Sequence, residues 1–282
     1  MTCISTARSR PAARGHTGAR WWVASVLSAV TLGLLAAAGG ASAAPAELSA
    51  AEILDRVAGT GVLSGSGQAR LELVTENRRG QQRAYRLQIY RAEGPDGSDR
   101  QLLEYLEPAD VRGTKLLSLG QPDGEAQIWL YLPALGRERR VAGADVQQSF
   151  MGTDFTYEEI AGGATYKTDY ASERLPDAEL DGQPVYVVRL VPKDPSSRYG
   201  SVQMWIDQAT FVPRRIDFYD KRGELEKRLS ADDLRQGDDG GWMPHLITMA
   251  NAKAQTRTIV RVLEYQPGQV PEEYFTVRYL RR

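Results

Sequence analysis

From Gly67 almost to its end, the chain keeps one period, two residues. Ala69, Leu71 and Leu73 alternate with Arg70 and Glu72, and Tyr85, Leu87 and Ile89 alternate with Arg86 and Gln88. A period of two sends successive side chains to opposite faces of a strand, so each run builds a sheet with one apolar and one polar face. Gly67–Asn77 and Arg83–Glu93 read as the first strands, joined by a hairpin at Asn77–Gly80. Gln101–Leu106, Thr114–Leu119 and Gln127–Leu132 follow. Glu107-Pro108-Ala109-Asp110 and Gln121-Pro122-Asp123-Gly124 separate them with turn chemistry, proline presetting φ and Asp-Gly permitting a tight reversal. The rhythm resumes at Thr165–Arg174, Pro184–Val191, Ser201–Asp207, Arg214–Asp220, Leu225–Leu234, Trp242–Ala250 and Thr256–Tyr265.

Eleven or twelve strands at this spacing predict a mainly β fold with minor α, a sandwich or a curved barrel. No helix-length pattern alternates with the strands, which excludes βαβ architecture. Two segments depart from the rhythm. Ser49 with Glu52 three residues on, ahead of Ile53, Leu54 and Val57, predicts a capped helix. Ala142–Gly163, holding Phe150, Met151, Phe155 and Tyr157, predicts a loop with a short helical piece lying over the sheet. A single curled antiparallel sheet leaves a concave apolar face over a cavity, whereas two packed half-sheets leave none. Periodicity does not separate the two.

The N-terminus is of another kind. Arg8, Arg10, Arg14 and Arg20 precede an apolar stretch from Trp21 to Ala38, which ends in small residues with Ala41-Ser42-Ala43. Residues 1–43 read as a secretory signal cleaved after Ala43, or after Ala44, leaving residues 44–282 to act in the periplasm. An uncleaved membrane anchor is the alternative, since the stretch approaches spanning length. About 238 residues then remain, with no cysteine and one histidine, His245. Lys+Arg total 35 against 36 Asp+Glu in the whole chain, and 31 against 36 without the signal's arginines. So balanced a charge points away from nucleic acid as a partner.

Catalytic patterns are scarce. His245 has no second His or Cys to share a metal, and no Gly-x-Ser-x-Gly elbow holds Ser118 or Ser149. Neighbouring carboxylates such as Glu158-Glu159 and Asp232-Asp233 point to opposite faces of a strand and read as solvated. Asp154, inside the aromatic cluster, reads as a buried carboxylate holding a loop or an arginine. Arg137-Glu138-Arg139-Arg140 beside Pro133–Gly136 reads as a solvated hairpin end, with contact to anionic lipid head groups or an acidic partner as the functional alternative. No metal, cofactor or enzymatic activity is expected, and the protein is expected to be a monomer.

Two runs carry a family resemblance: Ile128-Trp129-Leu130-Tyr131-Leu132-Pro133-Ala134-Leu135 with Arg139-Arg140-Val141, and Ser149-Phe150-Met151-Gly152-Thr153-Asp154-Phe155-Thr156-Tyr157-Glu158-Glu159. They resemble the LolA-like outer membrane lipoprotein-sorting proteins, as do Pro108–Thr114 and Trp205-Ile206-Asp207 with Pro213–Ile216. The resemblance implies a half-open β-barrel closed by helices over an apolar cavity. It also implies a carrier of phospholipid or lipoprotein acyl chains, or a scaffold or sensor beside an RND-type transporter. The expected lipid-contacting residues are Trp129, Tyr131, Phe150, Met151, Phe155, Trp205 and Met243. Trp129 and Tyr131 share one face and Leu130 takes the other, so only one of the two sets lines a cavity.

Overall fold

In the computed structural model the described residues are 47–282, apart from 59, 61–64, 122–123, 163–165 and 238–239. The expected signal at 1–43 lies outside them. Thirteen strands form one antiparallel sheet. One half comprises β1 (Gly67–Glu76), β2 (Gln82–Glu93), β3 (Asp99–Glu107), β4 (Lys115–Gln121), β5 (Gly124–Leu132) and β6 (Arg137–Val141). The other comprises β7 (Tyr170–Leu180), β8 (Gln183–Pro192), β9 (Tyr199–Asp207), β10 (Pro213–Asp220), β11 (Leu225–Gln236), β12 (Trp242–Asn251) and β13 (Thr256–Pro267).

Each half is a meander in which every strand pairs with the next. The halves meet at one seam, where β1 pairs with β13 from Gly67 opposite Pro267 to Glu76 opposite Arg257. The sheet does not close on itself, and β6 and β7 are its free edges. This is the open, curved barrel that the resemblance implies, not a sandwich. Both edges are blunted against pairing with another chain. Strand β6 has five residues, four of them charged. Strand β7 carries Pro176 beside an irregularity between Leu175 and Ala178.

Both edges also depart from the sequence expectation. Residues 137–141 read as a hairpin end because four charges in a row hide any alternation, yet they pair with β5 from Leu132 to Ile128. Strand β7 starts at Tyr170 instead of Thr165 and runs on to Leu180, where Pro176 and the register shift break the period of two.

The two faces have different covers. On the inner face, Leu71, Leu73, Leu87, Leu103, Leu116 and Leu130 cluster in the first half, and Val188, Leu190, Met204, Ile206, Phe218 and Met249 in the second. Helix α1 (Ala50–Val57) lies on the second cluster through Ala50, Ile53 and Leu54. It starts as expected: the Ser49 hydroxyl accepts from the Glu52 amide, and the Glu52 carboxylate accepts from the Ser49 amide at 2.8 Å.

The outer face of the first half is apolar as well. There the C-terminal segment, in two 3₁₀ turns at Glu272–Phe275 and Val277–Arg281, packs Phe275 and Leu280 on Ala92, Leu102 and Leu117. Lys115, 4% exposed, donates from Nζ to the Arg282 carbonyl at 2.6 Å and lies 5.2 Å from the centre of the Tyr279 ring. Across β2, β1 and β13 the outer face is a ladder of cross-strand ion pairs. Glu72 meets Arg86 and Arg261, Glu76 meets Arg257, and Glu264 meets Arg70.

A buried counterpart in the second half is Asp217, 0% exposed on β10. Arg228 donates to it through Nε at 2.7 Å and Nη2 at 2.8 Å, and Arg215, which also stacks on Trp205, donates through Nε at 3.0 Å. Burial by itself would raise the carboxyl's pKa. The hydrogen bonds and charges of the two guanidiniums overcome it and hold the group below its ordinary value.

Two expectations follow. Leu280→Ala should cost about 2–5 kcal/mol, because its side chain is fully buried under the tail. Arg281→Ala, which breaks an exposed pair with Glu138, should cost within about 1 kcal/mol. Urea denaturation of the two variants separates them. A carboxyl held low in the folded state stabilises above its unfolded pKa, near 4, and that contribution fades as pH falls through the folded value. Asp217→Asn should therefore lower stability at pH 7 and flatten the decline of stability below about pH 4 in acid titrations of the melting temperature.

Candidate functional site

Between β6 and β7 the described residues 142–162 and 166–169 cross the inner face as a strap. It contains a 3₁₀ turn (Gly143–Gln147), a tight reversal and helix α2 (Tyr157–Ile160). The reversal is closed by the Phe150 amide donating to Phe155 O at 2.8 Å and the Tyr157 amide to Gln148 O at 3.1 Å. Its tip, Met151-Gly152, takes φ of 47° and 77°. Gly152 adopts that region freely, whereas Met151 stores strain there.

The strap's aromatic residues point into the barrel. Phe150 is 0% exposed and meets Tyr157 edge-on at 5.4 Å and Tyr105 at 6.0 Å. Phe155 joins the cluster of the second half, so the strap bridges the two.

Polar pins hold the strap down on several strands. The Asp154 carboxylate accepts the Thr256 hydroxyl and, at 2.8 Å, the Thr258 hydroxyl, whose oxygen accepts the Asp154 amide at 2.8 Å. Sequence reasoning took Asp154 as a buried carboxylate holding a loop or an arginine; it is half-buried, and its partners are β13 threonines. Glu159 corrects that reasoning. It is not solvated. Its carboxylate accepts from the Thr156 amide at 2.8 Å, completing a capping box on α2, from the Tyr199 hydroxyl at 2.8 Å, and from Lys227 Nζ at 2.9 and 3.0 Å. Lys227 is 2% exposed, and its third hydrogen bond goes to Asp154 O at 3.0 Å. Burial, with the Glu159 charge beside it, pushes the Tyr199 hydroxyl's pKa far up, so it stays a donor. In the first half, Gln101 donates to Ile160 O at 2.7 Å and Ser118 to Ala161 O at 3.1 Å.

The space over the inner face is therefore occupied by the chain's own side chains. At the strap's margin the described residues enclose a cleft of about 260 Å³, lined among others by Ser149, Asp154, Thr156, Arg198, Lys227 and Thr256. Its lining is largely polar, and its volume is below the roughly 300–1,000 Å³ of typical ligand pockets.

One polar atom on the inner face has no partner among the described residues. The Tyr105 hydroxyl is buried in the first cluster, edge-on to Tyr85 at 5.5 Å. Burial pushes its pKa up, so it is a neutral donor.

The seven expected lipid-contacting residues divide between the faces. Phe150, Met151, Phe155 and Met243 belong to the inner clusters. Trp129 and Tyr131 lie on the outer face under the C-terminal segment, with Leu130 inside. Trp205 is also outside, stacked with Arg215 4.2 Å from its ring centre. Sequence reasoning missed Tyr105, Lys227 and Glu159. Tyr105 keeps the inward parity of Leu103, the one signal that could have found it.

A family model described only as an uncharacterized protein matches residues 97–282. The chain belongs to that family. Its fold is that of LolA-like proteins. An outer membrane lipoprotein-sorting protein domain from Vibrio parahaemolyticus superposes with a TM-score of 0.76 at 27% identity, covering 83% of this chain and 98% of that one. A DUF1329 family protein from Desulfovibrio piger gives 0.74 at 24% identity, covering 82% and 95%. A LolA superfamily protein from Nitrosomonas europaea gives 0.66 at 23%, covering 83% and 100%. No curated protein matches the chain. The fold is a carrier or binding fold, which agrees with a sheet whose inner face is covered by a helix and a strap instead of a second sheet.

Breaking one partner of a buried ion pair costs about 3–5 kcal/mol, because the other charge is left uncompensated. Lys227→Met should lose that much stability in urea denaturation and open residues 142–161 to limited proteolysis. Adding Glu159→Gln should recover part of the loss.

Proposed function

We propose that the chain is a non-catalytic carrier, working in the periplasm, that takes up the acyl chain of a phospholipid or lipoprotein on its inner face. One observation carries this reading: among the described residues, the apolar inner face of both half-sheets is roofed by α1 and the strap alone. An acyl chain entering there replaces strap side chains. Phe150, Phe155 and Tyr157 contribute about 5–9 kcal/mol of burial, at about 1.5–3 each. A chain of about fourteen to eighteen carbons returns about 11–14 kcal/mol gross, at about 0.8 per methylene. Association and ordering costs absorb several kcal/mol of that surplus, leaving binding reversible.

Phe150, Met151, Phe155 and Met243 are the proposed acyl contacts. The Tyr105 hydroxyl is the proposed donor to an ester carbonyl of the lipid, which would satisfy the buried group. An RND-type transporter is the partner that the family resemblance suggests for delivery.

Protein purified from cells should retain lipid, read by organic extraction and mass spectrometry. Clean protein that also refuses fluorescent fatty-acid probes would sink the proposal. Tyr105→Phe should leave stability unchanged or raised, since an unsatisfied hydroxyl is removed, while weakening binding of a fluorescent phospholipid probe, which carries the ester, up to about tenfold. An unchanged probe affinity would remove Tyr105 from the site.

A further inference from the structure

The meander sorts the turns into two ends. Pairing of Glu76 with Gln82 and with Arg257 puts turns 77–81 and 252–255 at the same end. Alternation along each half adds turns 108–114, 133–136, 193–198 and 221–224. Turns 94–98, 181–182 and 208–212 lie at the opposite end.

Charge is divided unequally between the ends. The first end carries Arg78 and Arg79 on one turn, Arg112 on another, Lys193 with Arg198, Lys221 with Arg222, and Lys253. All are exposed; the carboxylates on those turns are Asp110, Asp194 and Glu224, and at the adjoining strand ends Asp220 pairs with Lys253 and Arg222 and Glu226 with Arg198, which leaves Arg78, Arg79, Arg112, Lys193 and Lys221 as the cations in surplus. At the opposite end the described turn residues carry Asp96 and Asp181 and neither Lys nor Arg. The near-neutral total of the chain conceals this polarity.

A second observation falls at the same end. Turn 133–136 presents Leu135, 59% exposed and the most exposed large apolar side chain described. Exposed Pro133 and Ala134 precede it and exposed Arg137 follows.

We propose that this end docks on an anionic bilayer surface. The cations stand on separate turns from both half-sheets, so no pocket gathers them around a small anion, and an extended surface suits them better. An apolar tip flanked by arginine matches the boundary between headgroups and acyl chains, where a nucleic acid offers nothing for Leu135 to enter. The cleft beside the strap lies at this end too, through Arg198, Asn251, Ala254 and Thr256. Docking would therefore turn the strap toward the membrane. Only that last step rests on the carrier reading, since the charge and the tip stand without it.

The test is co-sedimentation of the full chain with phosphatidylglycerol-containing vesicles and with pure phosphatidylcholine vesicles. Binding should favour the anionic vesicles and fall at least tenfold between about 50 and 500 mM salt. The charge reversal Arg78→Glu, Arg79→Glu, Lys221→Glu, Arg222→Glu should weaken it a hundredfold or more, at about fivefold per charge lost. Wild type and variant share residues 1–46, so their difference reads the turns alone. Leu135→Asp should weaken binding several-fold and leave the salt dependence unchanged, and Asp96→Asn at the far end should have no effect. Equal binding to neutral vesicles, or a reversed variant that binds like wild type, would overturn the proposal. So would capture of a soluble acidic protein in place of vesicles. A chain that docks but retains no lipid would sink the carrier reading alone.

Discussion

The buried Glu159–Lys227 pair is the constraint on which the arrangement of the inner face depends. One carboxylate caps the strap's helical turn, receives the Tyr199 hydroxyl from β9 and neutralises an ammonium from β11. The ammonium in turn reaches the carbonyl of Asp154, whose side chain is fixed to β13. Without this network the second half of the sheet would register the strap mainly through apolar side chains, and apolar contact is non-directional. With it, Phe150 and Phe155 are delivered to different clusters of one sheet. The carrier proposal needs that combination: a filling good enough to keep the empty protein folded, attached by polar groups that can re-pair with water when it lifts.

Most of the architecture was legible because the period of two is a strong signal wherever one face is wet. It failed where that premise failed. Strand β6 is charged at every residue but the buried Val141, and β7 carries a proline and a register shift, so neither shows clean alternation. The C-terminal segment was missed for a related reason. A 3₁₀ turn has no sustained period, and its apolar residues Phe275 and Leu280 look isolated until the outer face of β2–β5 is seen to be apolar as well.

The site was legible in composition and obscure in orientation. The aromatic run Phe150–Tyr157 stood out, and so did Asp154 within it. The parity rule separated Trp129 and Tyr131 from Leu130 but could not say which set faced inward. The answer depends on the tail covering the outer side, more than a hundred residues away. Lys227 and Glu159 each look like ordinary surface charges, because a buried ion pair leaves no local mark in either strand or helix pattern.

The seam between β1 and β13 carries a consequence in time. Its paired residues are 181 to 200 positions apart, from Glu76 with Arg257 to Gly67 with Pro267. Closure entropy grows only with the logarithm of that separation, so the seam costs little in final stability. In folding order it weighs heavily. Each half can zip hairpin by hairpin through local contacts, whereas the central pair waits until the last strand exists and the slow non-local search is finished. Until then β1 and β13 are two long unprotected edges at the centre of the future sheet. At ten and twelve residues they are at least twice the length of β6 and alternate cleanly over much of their span, which makes the interval before they meet the stage most open to mispairing with another chain.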